Sequence, residues 1–334
     1  MTITTAPAKD GFARVLASVW SGIKRIPPVY PIFFILFIIV SFLSPTFSSM
    51  TGIMAFLRRT APLAILAIGE MFVLATGGYD LSIGSIVTLV CLASSLLLNN
   101  DPANAYPTIG IMLAIGAGIG LVNGLVVSYL KVPSFIATLG MMLIVKGGAL
   151  YWVGGAPKGY FTDNWRMWGR GYIENVPIFG RFPIGLLVLI VVGLITWYML
   201  QRTSYGKQVL AVGDNVRAAQ LSGVRVRLVR TVAFIVSAVC AVIGGVMTGG
   251  IGGVNVTIGE GLEMSAIAAC VVGGVLLGGG KGSVLNVVFG AYTLEILFSM
   301  LNLLGLPKPY KDAIQGVIII GAVAYVALSR RKKR

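Results

Sequence analysis

Long apolar runs alternate with short polar segments along most of this chain. The runs are continuous, which favours helices over the alternating strands of a closed barrel. A run of about 20 residues is long enough, as a helix, to cross ~30 Å of hydrocarbon. The pattern predicts about ten spans, at residues 29–48, 61–77, 81–98, 108–128, 133–152, 183–200, 229–250, 262–278, 284–304 and 312–328. We therefore expect an all-α membrane protein.

Two of the polar interruptions resemble each other. One runs from Gly77 to Gly84 (GGYDLSIG) and the other from Gly252 to Gly259 (GGVNVTIG). They divide the chain into two related halves, at about 29–175 and 183–330, each with about five spans. An odd number of spans per half inverts the second half, and paired breaks of this kind point to a transport path. A chance match in a chain with 44 glycines is the alternative.

Charge is scarce and unevenly placed. Only 11% of residues are charged and 57% are hydrophobic, with a formal net charge of +15, whereas soluble domains are about a quarter charged. Basic residues collect at the N-terminus, at 202–230 and in the tail at 330–334. This distribution predicts that these segments, and both termini, face the cytoplasm. No zinc or RNA-binding pattern accompanies them, so nucleic acid is not expected as a partner.

The chain contains no histidine, which excludes histidine-based catalysis and histidine metal ligands. No nucleophile–base pair is apparent either, so we expect neither a catalytic site nor a metal site in this chain. The three cysteines lie inside apolar runs and are expected to be core residues.

The segments outside the spans have distinct patterns. Residues 1–28 carry an amphipathic pattern at 12–23, which predicts a cytoplasmic interfacial helix, with the basic region of a signal peptide as the alternative. Residues 29–330 form one transmembrane domain. The outer connection, 153–182, is rich in aromatic residues. We favour an interfacial anchor made by Trp165 and Trp168, and a docking surface for an external partner is the alternative.

The inner connection at 201–228 contains the signals of a short helix. Asp214 or Asn215 is expected to cap its start, residues 216–221 to form its body, and Gly223 to end it. Such a helix could be held by a partner protein as a rigid element, or the segment could be a simple solvated loop. The pattern alone leaves both open.

Polar side chains at membrane depth are candidates for the wall of a path. Asp80 and Asn255 are expected to cap the helices that follow the two breaks, and they can also line the path. An alternative for two of the acidic residues is pairing with Lys146. The candidates are Glu70, Asp80, Asn123, Asn255, Glu263, Glu295 and Asn302.

Several motifs, in order along residues 60–320, give the chain a family resemblance. They include TGGYDLSIGS at 76–85, PSFIATLG at 133–140, GEG at 259–261, AIAA at 266–269 and NLLG at 302–305. With the segment at 201–228, these motifs resemble the permease subunits of ribose-type ABC transporters. The resemblance implies that 201–228 is a cytoplasmic coupling loop, with coupling residues Gly206, Asp214, Asn215, Ala218, Ala219, Leu221, Ser222 and Gly223.

The resemblance also implies the function and its partners. The chain is expected to be a permease subunit of an ATP-driven importer in the bacterial inner membrane, moving a small polar solute such as a sugar. Two cytoplasmic ATPase subunits, a second permease copy or a paralogue, and a periplasmic or lipid-anchored binding protein would complete the complex.

The chain is not expected to hydrolyse ATP itself. The run at 279–282 (GGKG) lacks the hydroxyl residue and the first glycine of a phosphate-binding loop. ATP and magnesium would therefore be bound by the partner ATPase, and no cofactor by this chain. An ion-coupled secondary transporter, using Glu70 or Glu295 as its ion site, is the alternative function, because inverted halves fit it equally well.

Overall fold

A computed structural model of the chain describes residues 27–177 and 179–331. The amphipathic helix expected at 12–23 lies outside these residues, as does the end of the basic tail. The first half contains α1 (Val29–Leu43), α2 (Pro45–Ser48), α3 (Met50–Ala75), α4 (Ile83–Leu97), a 3-10 turn (Pro102–Asn104), α5 (Ala105–Ser128) and α6 (Ser134–Val153). The outer connection contains α7 (Asp163–Arg170), β1 (Tyr172–Val176) and β2 (Gly180–Pro183). The second half contains α8 (Ile184–Arg202), α9 (Ser204–Asp214), α10 (Val216–Leu221), α11 (Val226–Gly252), α12 (Leu262–Val272), α13 (Val284–Leu303) and α14 (Lys308–Arg331).

An apolar helix lies at each predicted span. Six of these helices are long and apolar enough to cross a membrane: α3, α5 with its preceding turn, α6, α8, α11 and α13. The apolar helices α1, α4 and α12 are shorter, so the number of spans stays a prediction. Helix α3 begins at Met50, well before the predicted start at residue 61. The sequence pattern missed this part of α3 because Arg58 and Arg59 interrupt the apolar run.

Helices α3 and α11 form the centre of the fold. Most of their residues are buried, whereas few residues of α6 and α8 are. Helix α11 packs closely against α5 because glycines line the contact. A Cβ atom at Gly120 would lie 2.6 Å from the Phe234 carbonyl oxygen, and one at Gly124 would lie 2.6 Å from the Thr231 Cα. Small residues of this kind allow membrane helices to approach each other.

The outer connection departs from the all-α prediction. Strands β1 and β2 form an antiparallel hairpin in which Glu174 lies opposite Arg181, and these two side chains form an ion pair at 2.9 Å. The hairpin is short and exposed, so it lacks the apolar alternation that identifies a strand with one buried face.

The outer connection at 153–182 is also held against the end of α11 by hydrogen bonds. Trp165 is fully buried and stacks on Phe161, with 5.4 Å between the ring centroids. Arg170 donates hydrogen bonds to the Ile251 carbonyl oxygen from Nε (3.0 Å) and from Nη2 (2.6 Å). The interpretation of Trp165 as an interfacial anchor is therefore wrong, because its ring is part of the protein core.

Candidate functional site

The first break centres on Asp80, a buried carboxylate held between helices. Its Oδ1 accepts hydrogen bonds from the backbone N–H (3.0 Å) and the hydroxyl (2.6 Å) of Ser82. Its Oδ2 accepts one from the hydroxyl of Ser237 on α11, at 2.9 Å. Asn123 on α5 donates to the Ser82 hydroxyl at 3.0 Å. These hydrogen bonds tie the break to α5 and α11.

Glu70, on α3, extends this network. Its Oε1 accepts a hydrogen bond from the backbone N–H of Asp80 at 3.2 Å. Its Oε2 has no hydrogen-bond partner among the described residues. Glu70 and Asp80 are fully buried and Asn123 nearly so. The structure therefore brings together three of the predicted path residues, Glu70, Asp80 and Asn123. In this conformation they belong to a buried hydrogen-bond network that holds the first break in place.

The second break repeats the local geometry of the first in an exposed setting. The Asn255 Oδ1 accepts hydrogen bonds from the backbone N–H (2.9 Å) and the hydroxyl (3.0 Å) of Thr257, as Asp80 does from Ser82. Asn255 is exposed, and α12 does not begin until Leu262. Asn255 is thus not the cap of a helix, and that prediction is wrong. Asp80 is not the cap of α4 either, and that prediction is also wrong: Ser82 stands at the N-cap position, and Asp80 accepts a hydrogen bond from the N–H of Ser82 in a turn that precedes the helix.

The two breaks meet at their last glycines. A Cβ atom at Gly84 would lie 2.6 Å from the Gly259 carbonyl oxygen, and one at Gly259 would overlap the Gly84 carbonyl oxygen. A Cβ at Gly84 would also overlap a carboxylate oxygen of Glu263, which lies in the first turn of α12. The backbones of the two repeats are therefore in direct contact, and Glu263 faces the start of α4.

A cavity of about 550 Å³, with several polar groups in a largely apolar lining, lies between the second break and α14. Its polar lining includes Glu260, Ser265, Lys311 and Gln315. Gln315 is nearly buried and donates a hydrogen bond to the Ser265 hydroxyl at 3.2 Å. Gln315 was not among the predicted path residues, although it is a polar residue inside an apolar span, which is the signal that identified the other candidates.

The remaining candidates are dispersed. Lys146 pairs with Glu260 at 2.6 Å, so the alternative in which it pairs with Glu70 or Glu295 is wrong. Glu295 instead lies within electrostatic reach of Arg59 and Lys311. Asn302 is exposed at the end of α13. The structure does not bring these residues to the Asp80 network.

The short helix expected in 201–228 is present as α10. Asn215 caps it, with Oδ1 accepting from the Ala218 N–H at 3.0 Å, and Gly223 ends it in the left-handed conformation (φ 81°). Asp214 instead closes the preceding helix, α9. Leu221 is 84% exposed, whereas Ala219 is 5% exposed and faces inward. Helix α10 is therefore a short, capped helix that exposes the apolar side chain of Leu221 on the protein surface.

Other residues of this segment hold it on the helix bundle. A Cβ atom at Gly206 would overlap the backbone of Leu200, so α9 turns back tightly on the end of α8. Tyr205 donates a hydrogen bond to the Val229 carbonyl oxygen at 3.2 Å. Burial raises the pKa of the Tyr205 hydroxyl, which stays a neutral donor. Ser222 is exposed next to Gly223.

Helix α9 is joined to the first break through a contact between backbones, which we call the glycine junction (Ala75, Gly213, Gly279 and Gly280). The Gly280 N–H donates to the Ala75 carbonyl oxygen at 3.0 Å. A Cβ atom at Gly213 would overlap both of these groups. Gly279 and Gly280 have φ values of 85° and 82°, which glycine adopts without strain. The GGKG run is therefore a turn packed on α9.

The two breaks lie beside different connections. The first lies beside the segment at 201–228 through the glycine junction, and the second follows the end of α11, where Arg170 of the outer connection is bound. Inverted halves would place the corresponding breaks toward opposite sides; that arrangement stays a prediction.

Comparison with known proteins gives consistent matches. Residues 52–323 match the family model described as branched-chain amino acid transport system / permease component. The chain is 34% identical to the ribose import permease protein RbsC of Escherichia coli K12, over 86% of this chain and 89% of that protein. It is 34% identical to RbsC of Bacillus subtilis 168, over 90% and 91%. It is 35% identical to the galactose/methyl galactoside import permease protein MglC of E. coli K12, over 92% and 95%. No solved structure matches the chain significantly.

Proposed function

Because the chain belongs to the family of branched-chain amino acid transport system permease components, we propose that it is the membrane-spanning subunit of an ATP-driven importer for a small polar solute, in the class of sugars. The names of its ribose and galactose relatives support the solute class. The chain supplies the path, and ATP and magnesium are bound by a separate ATPase.

The proposed complex has the following arrangement. About ten spans per chain place both termini and the segment at 201–228 in the cytoplasm. Two permease chains, identical or paralogous, stand side by side, and two ATPase subunits bind them from the cytoplasm. An external binding protein delivers the solute to the opposite face, which carries the connection at 153–182.

The observation that carries this proposal is the exposed side chain of Leu221 on a helix that is fixed at both ends. A single exposed leucine needs no explanation by itself, but on a capped helix outside the spans this 84% exposed side chain is accessible to a partner protein. Coupling also requires that movement of this segment reaches the path. The glycine junction allows this, because it connects the segment directly to the first break. A simple solvated loop would need neither feature.

The mechanism follows from these contacts. Closure of the ATPase subunits on ATP displaces α10, and α9 moves with it. Because Gly213 lies against the Ala75 and Gly280 backbones, this movement reaches the end of α3 and the first break. The contact between Gly84 and Gly259 then passes it to the second break. The permease alternates between outward-open and inward-open states as the two breaks shift.

We place the solute path along the cavity between the second break and α14. Its hydroxyl, amide and carboxylate groups, on Ser265, Gln315 and Glu260, can exchange hydrogen bonds with a polyol. The cavity opens beside Met264, which is 40% exposed, so a second permease chain against this face would close the path. In this proposal Glu263 and Asn255 lie near the path, and the Asp80 network supports it from within.

A reconstituted complex tests the coupling role. Leu221→Asp puts a charge on the proposed contact, so we expect substrate-stimulated ATPase activity and ATP-driven uptake to fall at least about tenfold, the effect of losing a central contact residue. Leu304→Asp is the matched control, because Leu304 is an exposed leucine (59%) in the turn that follows α13. Equal coupling in the two variants would refute the proposal.

The same reconstitution distinguishes the proposed ATP-driven importer from the alternative, an ion-coupled secondary transporter. The buried carboxylates of Glu70 and Asp80, without an ion pair among the described residues, are the observation that favours an ion-coupled transporter. Uptake in vesicles that contain no ATPase, lost when the proton or sodium gradient is dissipated, would decide for that alternative.

A further inference from the structure

A second polar cavity, of about 540 Å³, lies where the first break, the α5–α6 turn, α10 and α11 meet. Its lining includes the basic residues Lys131, Arg227 and Arg230 and the hydroxyl residues Thr76, Ser128 and Ser134. A neighbouring cavity of about 440 Å³ shares Arg227 and adds Arg225. Among the described residues no acidic side chain lines either cavity, so the charges of this lining have one sign.

The guanidinium of Arg230 has little to bind within the chain. Its Nε is buried without a hydrogen-bond partner among the described residues. Its Nη2 lies 3.5 Å from the Thr76 carbonyl oxygen, at the outer limit of a hydrogen bond. A partly buried guanidinium whose Nε has no partner among the described residues is costly, and a phosphate offers the bidentate acceptor that this group matches best.

Lys131 also lines this cavity. It lies in the α5–α6 turn with φ 57°, a left-handed conformation that costs energy for a residue with a Cβ atom. Its side chain is exposed. Lys131 therefore adds a second cation to the lining of the cavity that contains Arg230.

Exposed apolar residues are sequence neighbours of the residues that line the cavity. Leu130, next to Lys131, is 72% exposed, and Phe135 and Ile136, at the start of α6, are 52% and 60% exposed. Arg227 covers the ring of Tyr129, with 5.3 Å to its centroid. Exposed apolar and aromatic residues around a basic pocket at a helix end are typical of the membrane interface, where acyl chains lie beside headgroups.

We propose that this cavity binds the phosphate group of an anionic phospholipid, with Arg230 and Lys131 binding the phosphate oxygens and the acyl chains lying over Leu130 and Ile136. The site goes beyond the proposed function, and depends on it only in that the cytoplasmic orientation of 201–228 assigns the lipid to the inner leaflet. Because Val216 and Gln220 of α10 also line the cavity, a bound lipid contacts the coupling helix.

Native mass spectrometry of the full-length chain in detergent, with added phosphatidylglycerol or phosphatidylcholine, tests the site. We expect the wild-type chain to retain phosphatidylglycerol preferentially. Arg230→Gln should reduce this retention about tenfold, the effect of losing a charge-assisted hydrogen bond, whereas Arg230→Lys should keep part of it. Arg202→Gln is the control, because Arg202 is an exposed arginine at the end of α8, outside the cavity. The unfolding temperature of each variant verifies that it is folded.

Three outcomes would overturn the proposal. The first is retention of phosphatidylglycerol by Arg230→Gln at the wild-type level, or an equal loss in Arg202→Gln. The second is a thermal stabilisation by inorganic phosphate that depends on Arg230, without retention of the lipid, because the site would then take a free anion. The third is loss of the ATPase partner from Arg230→Gln with lipid retention unchanged, because the cavity would then receive an acidic side chain of that partner.

Discussion

At the scale of residues, the two breaks show how one local pattern is used in two settings. Asp80 and Asn255 each accept from the backbone and the hydroxyl of the residue two positions later. Asp80 is buried and has a further partner in Ser237, whereas Asn255 is exposed. The same turn is thus part of the core in one half and lies beside the proposed path in the other.

We predict that alanine at the two positions has unequal effects. Asp80→Ala leaves the buried donors of Ser82 and Ser237 without an acceptor, and should lower the free energy of unfolding by about 2–3 kcal/mol. Asn255→Ala should change it much less, because water replaces the lost acceptor. Thermal or denaturant unfolding in detergent measures both. Similar losses for the two variants would contradict the buried network.

At this scale the sequence predicts helix ends, but not the hydrogen-bond and ion-pair partners that are distant in the chain. The cap at Asn215 and the stop at Gly223 follow from side-chain and backbone chemistry within a few residues. The ion pair of Lys146 and Glu260 joins residues 114 positions apart, and the hydrogen bond of Asp80 to Ser237 joins residues 157 apart. Such partners depend on how helices pack, which the pattern of apolar residues does not specify.

At the scale of elements, the glycine junction brings the backbone at the end of α9 into direct contact with the backbone at the end of α3. Three glycines, Gly213, Gly279 and Gly280, remove the side chains that would separate these backbones. Without that contact, displacement of α10 would be absorbed in a flexible loop. The close approach is therefore the feature of the fold on which the proposed transmission depends.

A single methyl group tests this contact. Gly213→Ala would place its Cβ on the Ala75 carbonyl oxygen and the Gly280 N–H; overpacking of this kind costs about 1–3 kcal/mol. We expect a lower unfolding temperature and weakened coupling of ATP hydrolysis to uptake. Gly193→Ala is the control, since a Cβ at Gly193 on α8 meets no atom within 4 Å. Unchanged coupling in a folded Gly213→Ala variant would argue against transmission through the junction.

The apolar helices could be predicted because the length and hydropathy of a run determine them. Features that depend on what a side chain contacts inside the protein could not. The apolar helices followed from runs of membrane-spanning length. The extension of α3 to Met50 was missed because Arg58 finds partners inside the protein, the Arg170 carbonyl oxygen at 3.1 Å and the ring of Tyr172 at 4.9 Å. The burial of Trp165 was missed because an aromatic residue near a span fits an interfacial anchor equally well.

At the scale of the whole molecule, the two ends have different chemistry. The end with α9 and α10 carries Lys131, Arg225, Arg227 and Arg230 around its cavities. The other end carries the pinned outer connection and its hairpin. An orientation with the basic end in the cytoplasm satisfies the positive-inside rule and brings Leu221 to the compartment that contains ATP.

The most direct measurement of the central claim is the side of the membrane on which Leu221 is accessible. The native cysteines, Cys91, Cys240 and Cys270, are all buried, so a membrane-impermeant maleimide should label Leu221→Cys over a low background. Tyr160→Cys, at an exposed position (57%) in the outer connection, is the matched reference. We predict labelling of Leu221→Cys in inverted vesicles and not in spheroplasts, the reverse for Tyr160→Cys, and protection of Leu221→Cys when the ATPase is bound. Labelling of Leu221→Cys from the outside of spheroplasts would contradict the account, because no cytoplasmic ATPase could then contact α10.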